Sequence, residues 1–320
     1  MRILALFGTV LLVAGLLLSC RTPEPVPPTP VPTSVPPTAA SPQETEEAEG
    51  AEATHEPSPY PLSEPGPYHA GKVTYAFEDA SRHNRRVGIT VWYPALPPEG
   101  SSGPKSMVGT GRDPDLSGAP YPLILSSTKA AGILAPYLVS HGFAWASVDG
   151  IDTWDEYDAE LIEQPLDILF ALDQVASNPP QGLEGMIDAE HAGAIGYSFG
   201  GYNALALSGA RVDPEFYLAQ CVSADATAEA VLSILPNRYQ CALAGEWDEF
   251  AAHAGETITK SSDGLWQPMT DPRIRAVVPL AAEGWLLFSD RGLASVDRPV
   301  LIIDGTLDLY YSENTLIYER

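Results

Sequence analysis

Gly196-Tyr197-Ser198-Phe199-Gly200-Gly201 stands between the apolar run Ala192 to Gly196 and the small-residue stretch Phe199 to Ser208. The first reads as a strand and the second as a helix, which puts the serine at a strand-to-helix junction. Such a junction forces the serine into a strained backbone conformation, and side chains at the flanking positions would collide with the adjoining strand and helix. The strain sets a hydroxyl clear of the sheet at a helix N-terminus, where backbone N–H groups stabilise developing negative charge. Ser198 is therefore the candidate nucleophile, and an accidental glycine-rich turn is the competing reading.

Outward from this junction, short apolar runs alternate with longer amphipathic ones. Lys72 to Phe77 and Val87 to Tyr93 read as strands separated by a polar stretch, which suggests an antiparallel hairpin. Tyr121 to Ser126, Phe143 to Val148, Ile274 to Leu280 and Pro299 to Asp304 read as further strands, and Ile133 to Ser140 as a helix closed by His141-Gly142. Pro165 to Ser177 carries Leu166, Leu169, Leu172 and Val175 at helical intervals, behind a proline suited to a first turn. Strands alternating with helices imply a mostly parallel central sheet with helices on both faces and the hairpin at its antiparallel N-terminal edge. Val212 to Asp271 departs from the alternation and is expected to form a lid or excursion over the site. Asp149, Asp152 and Asp155, after an earlier strand, read as helix-capping and loop residues.

The chain of 320 residues is 45% apolar with a formal net charge of -25. It can bury a full-sized core, and its charge repels phosphate, so no nucleic-acid partner is expected. At the N-terminus, Met1-Arg2 precedes the apolar run Ile3 to Leu18, too short to span a bilayer and laid out as an export signal over residues 1–19. Leu17-Leu18-Ser19-Cys20 resembles a bacterial lipobox, which implies a lipid on Cys20 and membrane anchoring at the bacterial cell surface or in the periplasm. An ordinary signal peptide, or an uncleaved anchor, is the alternative. Residues 20–66 are rich in Pro, Thr and Glu with almost no large apolar side chain, the composition of an extended disordered linker. The catalytic domain is then expected over residues 67–320, with the excursion at about 212–271.

Gly66-Pro67-Tyr68 through Trp92-Tyr93-Pro94, Tyr121 to Leu125, Ser140-His141-Gly142-Phe143, Asp188 through Gly201, Asp271 to Val278 and Arg298 to Asp308 together resemble the predicted dienelactone hydrolases. These are serine-dependent relatives of platelet-activating-factor acetylhydrolases and cutinase-like polyester hydrolases. The resemblance implies an α/β-hydrolase fold and carboxylic ester hydrolysis through an acyl-enzyme, on a small-molecule or polymer ester. It maps the triad acid onto Asp308, three residues after Gly305, with Asp304 as competitor at the strand's end. By position it implies an oxyanion hole formed by the backbone N–H groups of Phe199 and Lys129. Relatives carry Ser-His-Gly where this chain reads Ser126-Ser127-Thr128-Lys129-Ala130-Ala131-Gly132.

In this fold the histidine follows the acid, yet none of the six histidines follows Asp308. His55 is in the linker, His69 and His83 are in the edge region, His141 ends a helix, His191 begins a strand away from the elbow, and His253 lies in the excursion. The sequence is therefore expected to be C-terminally incomplete, with the base on a loop beyond Arg320; a naturally inactive variant is the other reading. A non-catalytic surface lipoprotein that keeps the scaffold for binding is the alternative function. Glu283 and Trp285 follow the strand Ile274 to Leu280 at its carboxyl end, and Trp285 is either a pocket wall or a half-buried packing residue. Cys221 and Cys241, the only cysteines besides Cys20, are either bridged, as export permits, or two buried thiols. Without zinc spacing or a phosphate-cradling glycine loop, no metal and no cofactor is expected.

Overall fold

The structure, a computed structural model, describes residues 63–101, 108–150, 157–223, 238–259, 261–308 and 311–318. Cys20, Asp152, Asp155, the export segment and residues 20–62 of the linker lie outside the described residues. The end of the linker is inside them. Gly66 is buried, its N–H donating to Ser140 Oγ at 2.8 Å, and the Glu64 carbonyl oxygen lies 2.9 Å from His141 Nε2. Residues 64 and 66, at the end of the expected linker, thus contact the chain at Ser140 and His141.

Seven strands form one sheet: β1 (His69–Asp79), β2 (Arg85–Ala95), β3 (Val108–Thr110), β4 (Tyr121–Ser127), β5 (Ala144–Val148), β6 (Ile187–Tyr197) and β7 (Ile274–Leu280), in the order β3-β1-β2-β5-β4-β6-β7. β2 runs antiparallel to both its neighbours, while the β5, β4, β6 and β7 pairings are parallel. Beyond β7 the chain at 299–303 makes two parallel bridges, Val277 to Val300 and Leu280 to Ile303. The strand expected over Pro299 to Asp304 is therefore present only as bridges. The hairpin lies at the antiparallel side as expected, but β3 adds outside it, parallel to β1. This is the α/β-hydrolase arrangement.

Each strand's burial follows from its place. On β2, Val87, Ile89, Val91 and Tyr93 alternate with more exposed neighbours, whereas all five residues of β5 are buried, because helices cover that strand on both faces. Helix α1 (Thr128–Ser140) packs Ala130, Ala131, Ala135 and Val139 on one face, around Trp145. On the other, α2 (Glu160–Ser177) and α3 (Phe199–Leu207) supply Ile168, Leu172, Val175 and Leu207.

Two helices start earlier than their sequence suggests. α2 begins at Glu160, so Pro165 is inside the helix rather than in its first turn. The N-cap position is Ala159, which supplies no side-chain bond, and Asp158 Oδ1 accepts the Glu160 N–H at 2.8 Å just before it. α1 begins at Thr128, directly after β4, because the Lys-Ala-Ala run is strongly helix-forming and Gly132 faces open space.

Residues 212–271 include α4 (Pro214–Ser223), a 3₁₀ stretch Arg238–Gly245 and α5 (Trp247–Thr259), which bends at Gly255. With α3 and α6 (Trp285–Leu293) they enclose a second apolar cluster holding Phe199, Tyr202, Tyr217, Phe250, Trp266 and Phe288. Cys221 and Cys241 are bridged within it, at an S–S distance of 2.08 Å. The last helix described is α7 (Tyr311–Tyr318).

Candidate active site

Ser198 caps α3 with φ 58° and ψ -121°, a left-handed φ that a residue with a side chain rarely holds. The conformation is fixed on every side. Ser198 N–H donates to Leu280 O at 2.9 Å, continuing the β6 to β7 ladder, and its carbonyl accepts from Gly201 N–H at 2.7 Å. A Cβ on Gly196 would lie 1.6 Å from Gly200 O, and one on Gly201 would lie 2.8 Å from Ala282 Cα. Only glycine lets strand, turn and helix close this tightly. The elbow read from the sequence is present as backbone geometry, and Ser198 is half-exposed with no side-chain hydrogen bond among the described residues.

Phe199 opens α3. Its ring, 1% exposed, stacks on Tyr202 at 5.2 Å, and Tyr202 stacks on Phe288 at 5.1 Å. Lys129 is placed differently from its sequence reading: it sits in the first turn of α1, not on a loop. Its Nζ lies 4.7 Å over the ring of Tyr197, the residue before the serine. The Thr128 hydroxyl donates to Val148 O at 3.0 Å and ties the start of α1 to β5. The amino ends of α1 and α3 both lie at the carboxyl side of the sheet, beside the elbow.

Asp308 follows the 299–303 segment, two strand positions from β6, or about 10 Å at ordinary strand spacing. Its N–H donates to Gly305 O at 2.8 Å, closing a turn whose tip, Leu307, is 98% exposed. Asp304 Oδ1 accepts the Gly305 N–H at 2.9 Å. Glu283 is buried just after β7, and Gln240 Nε2 lies 3.5 Å from its Oε2, which ties the excursion to the carboxyl end of the sheet. Trp285 opens α6 half-buried, its ring edge-on to Phe216 at 5.2 Å and its Nε1 3.3 Å from Asp290 Oδ1. It lines a cavity of about 390 Å³ together with Asp213, Phe216, Ala219 and Arg291. Trp285 is thus both a packing residue and a cavity wall; Ser198 is not among the lining residues.

None of the five described histidines is bonded to Ser198 or Asp308 in the contacts above. His69, His141 and His191 lie toward the amino ends of the parallel strands, away from the elbow, and His191 is held by Asp188 Oδ2 at 2.8 Å. His83 sits in the β1 to β2 turn, three strand positions from β6. His253, on α5, is 2.7 Å from Glu163 Oε1 of α2. Both open onto a separate cavity of about 730 Å³, lined by Asp79, Arg82 and Glu163 among others and not by Ser198. The His253 to Glu163 pair was not legible from the sequence, because the two residues are 90 positions apart. Among the described residues no group of three or more His, Cys, Asp or Glu side chains is arranged to hold a metal ion.

No family model and no curated protein matches the chain. Among solved structures, a ferulic acid esterase from Streptomyces cinnamoneus is similar at 18% identity, over 79% of this chain and 69% of that one, with a TM-score of 0.43.

Proposed function

We propose that the protein is a carboxylic ester hydrolase that works through Ser198. The observation that carries this reading is the backbone of Ser198, strained at the junction of β6 and α3, with no side-chain bond to its hydroxyl among the described residues and two helix N-termini beside it. In the proposed cycle Ser198 Oγ attacks the ester carbonyl carbon while a histidine takes its proton. The N–H groups of Phe199 and Lys129 hold the resulting oxyanion. The carbon–oxygen bond to the leaving group breaks, the alcohol departs with the proton, and water then releases the acid from the acyl-enzyme. Asp308 orients the histidine. The resemblance to predicted dienelactone hydrolases agrees with this chemistry, and Glu283 and Trp285 follow β7 at its carboxyl end, the end that carries Ser198 on the neighbouring β6. The substrate is a small-molecule or polymeric ester outside the membrane, reached by a domain that a lipid on Cys20 tethers through the linker.

A fluorophosphonate probe on the full-length protein tests the nucleophile. Labelling that maps to Ser198, with turnover of a short-chain activated ester that Ser198→Ala abolishes, supports it. The second reading, a scaffold kept for binding, is favoured by the lack of any described histidine bonded at Ser198. Absence of both labelling and turnover would remove the enzyme reading, and a bound ligand would then have to be shown for the second.

A further inference from the structure

Ser127 is the last residue of β4 and the N-cap of α1, with φ -86° and ψ 174°, yet its side chain makes no capping bond. The residue is 1% exposed, and its Oγ has no hydrogen-bond partner among the described residues. Its neighbour shows the ordinary alternative: Ser126 Oγ donates to Ser127 O at 2.8 Å and accepts from Trp145 Nε1 at 2.8 Å. A buried hydroxyl left without a partner costs stability, so its retention points to a partner that arrives later.

The location names that partner. β4 pairs with β6 in parallel, Leu125 beside Ala194, and the same register carried two residues on sets Ser127 beside Gly196. A Cβ on Gly200 would lie 2.9 Å from Ser127 Oγ, so the hydroxyl is against the first turn of α3, within two residues of Ser198. Because the hydroxyl does not cap α1, the first-turn N–H groups of that helix stay available as well. Two helix N-termini and one uncommitted O–H thus meet beside the strained serine.

We propose that the Ser127 hydroxyl is a side-chain donor to the oxyanion formed at Ser198, alongside the backbone N–H groups. The inference rests on Ser198 being the nucleophile. The bond is absent in the free protein and forms when the ester carbonyl becomes an anion, so it acts on kcat and not on KM.

The test is Ser127→Ala in the full-length protein, read by ester turnover, by affinity for an alkylboronic acid that adds to Ser198 as a tetrahedral anion, and by thermal midpoint. The expected result is a kcat lower by about 10²-fold at a KM within about 2-fold, with a comparable loss of boronate affinity. The midpoint should not fall, because the hydroxyl has no partner to lose. Unchanged kcat and boronate affinity would overturn the inference and leave the Ser198 reading intact. A lowered midpoint with kcat and KM changing together would mean a packing role and overturn it too. If alanine does not fold, Ser127→Cys refills the space with a weak donor, and wild-type turnover in that variant counts against the inference. Turnover, or a tetrahedral boron signal by boron-11 NMR, that persists in Ser198→Ala would remove the nucleophile and this inference with it.

Discussion

Tyr202 Oη donates to the carbonyl oxygen of Leu161 at 2.9 Å. That carbonyl is the one whose helical donor would be residue 165, and residue 165 is a proline with no N–H. A fully buried phenol on the helix behind the nucleophile therefore satisfies the acceptor that Pro165 orphans in α2. Burial pushes the Tyr202 phenol well above its ordinary range, so it stays protonated and donating wherever the protein is folded.

Tyr202→Phe leaves the Leu161 carbonyl buried and unpaired, and should cost about 1–3 kcal/mol. Pro165→Ala restores an N–H four residues on, so it should stabilise the Tyr202→Phe variant by more than it stabilises the wild type. Denaturant midpoints of the wild type, the two single variants and the double variant measure the coupling. Additive effects would mean the phenol and the proline act independently.

The bridge between Cys221 and Cys241 closes a loop with a sequence separation of 20. Loop-closure entropy of that length corresponds to about 3 kcal/mol. Mass mapping of the unreduced, denatured protein should show both sulfurs protected from alkylation, and reduction should lower the unfolding free energy by about that amount. Free thiols in the unreduced protein would mean the excursion is held by its aromatic cluster alone.

Asp271 accepts from Arg273 Nε at 2.8 Å and from the Arg273 N–H at 2.8 Å, and Arg298 Nη1 lies 3.1 Å from its carbonyl. The Arg273 hydrogen bonds, against a smaller opposing effect of desolvation, hold the Asp271 carboxyl below the ordinary carboxylate range. A depressed folded-state pKa contributes stability that is present above the unfolded value, about 3.9, and is lost as pH falls through the folded value. The stability gap between wild type and Asp271→Asn should therefore be full near neutral pH and close below about pH 4. Urea midpoints across that range check it; a gap that widens in acid would reverse the sign.

Most of the strands and the elbow were legible because both are written locally, in apolar runs a few residues long and in glycines whose absent side chains decide a close approach; the order of the strands, and β3 outside the hairpin, depend on pairings distant in sequence. The bounds of β7 follow from Ile274 to Leu280 without adjustment. The start of α1 was not legible, since the family resemblance implies a loop where Lys129, Ala130 and Ala131 form helix. Pro165 likewise suggests a first turn, and only the distant Tyr202 makes an internal proline tolerable. Ser127 carries a recognisable N-cap signal, but its idle hydroxyl is a fact of packing against Gly200, 73 positions away, that no local pattern encodes.

The acid of the proposed triad separates two aspartates four residues apart. Asp304 ends the bridged segment, and one of its oxygens is already taken by the Gly305 N–H. Asp308 follows the turn closed by its own N–H to Gly305 O, one loop beyond the bridged segment, and is the residue proposed as the acid. A carboxylate in that role fixes the tautomer of the imidazole and stabilises its charged form, so replacing it by an amide leaves the fold in place and the wrong nitrogen protonated. In the full-length protein, Asp308→Asn should lower kcat by up to about 10⁴-fold with an unchanged thermal midpoint. Asp304→Asn should weaken its turn and lower the midpoint, with a far smaller effect on kcat. Parallel measurement of ester turnover and thermal midpoint in the two variants decides between them. The opposite ranking would move the acid to Asp304, and wild-type kcat in both would place it on neither residue, leaving Glu283 at the end of β7 as the next carboxylate to replace.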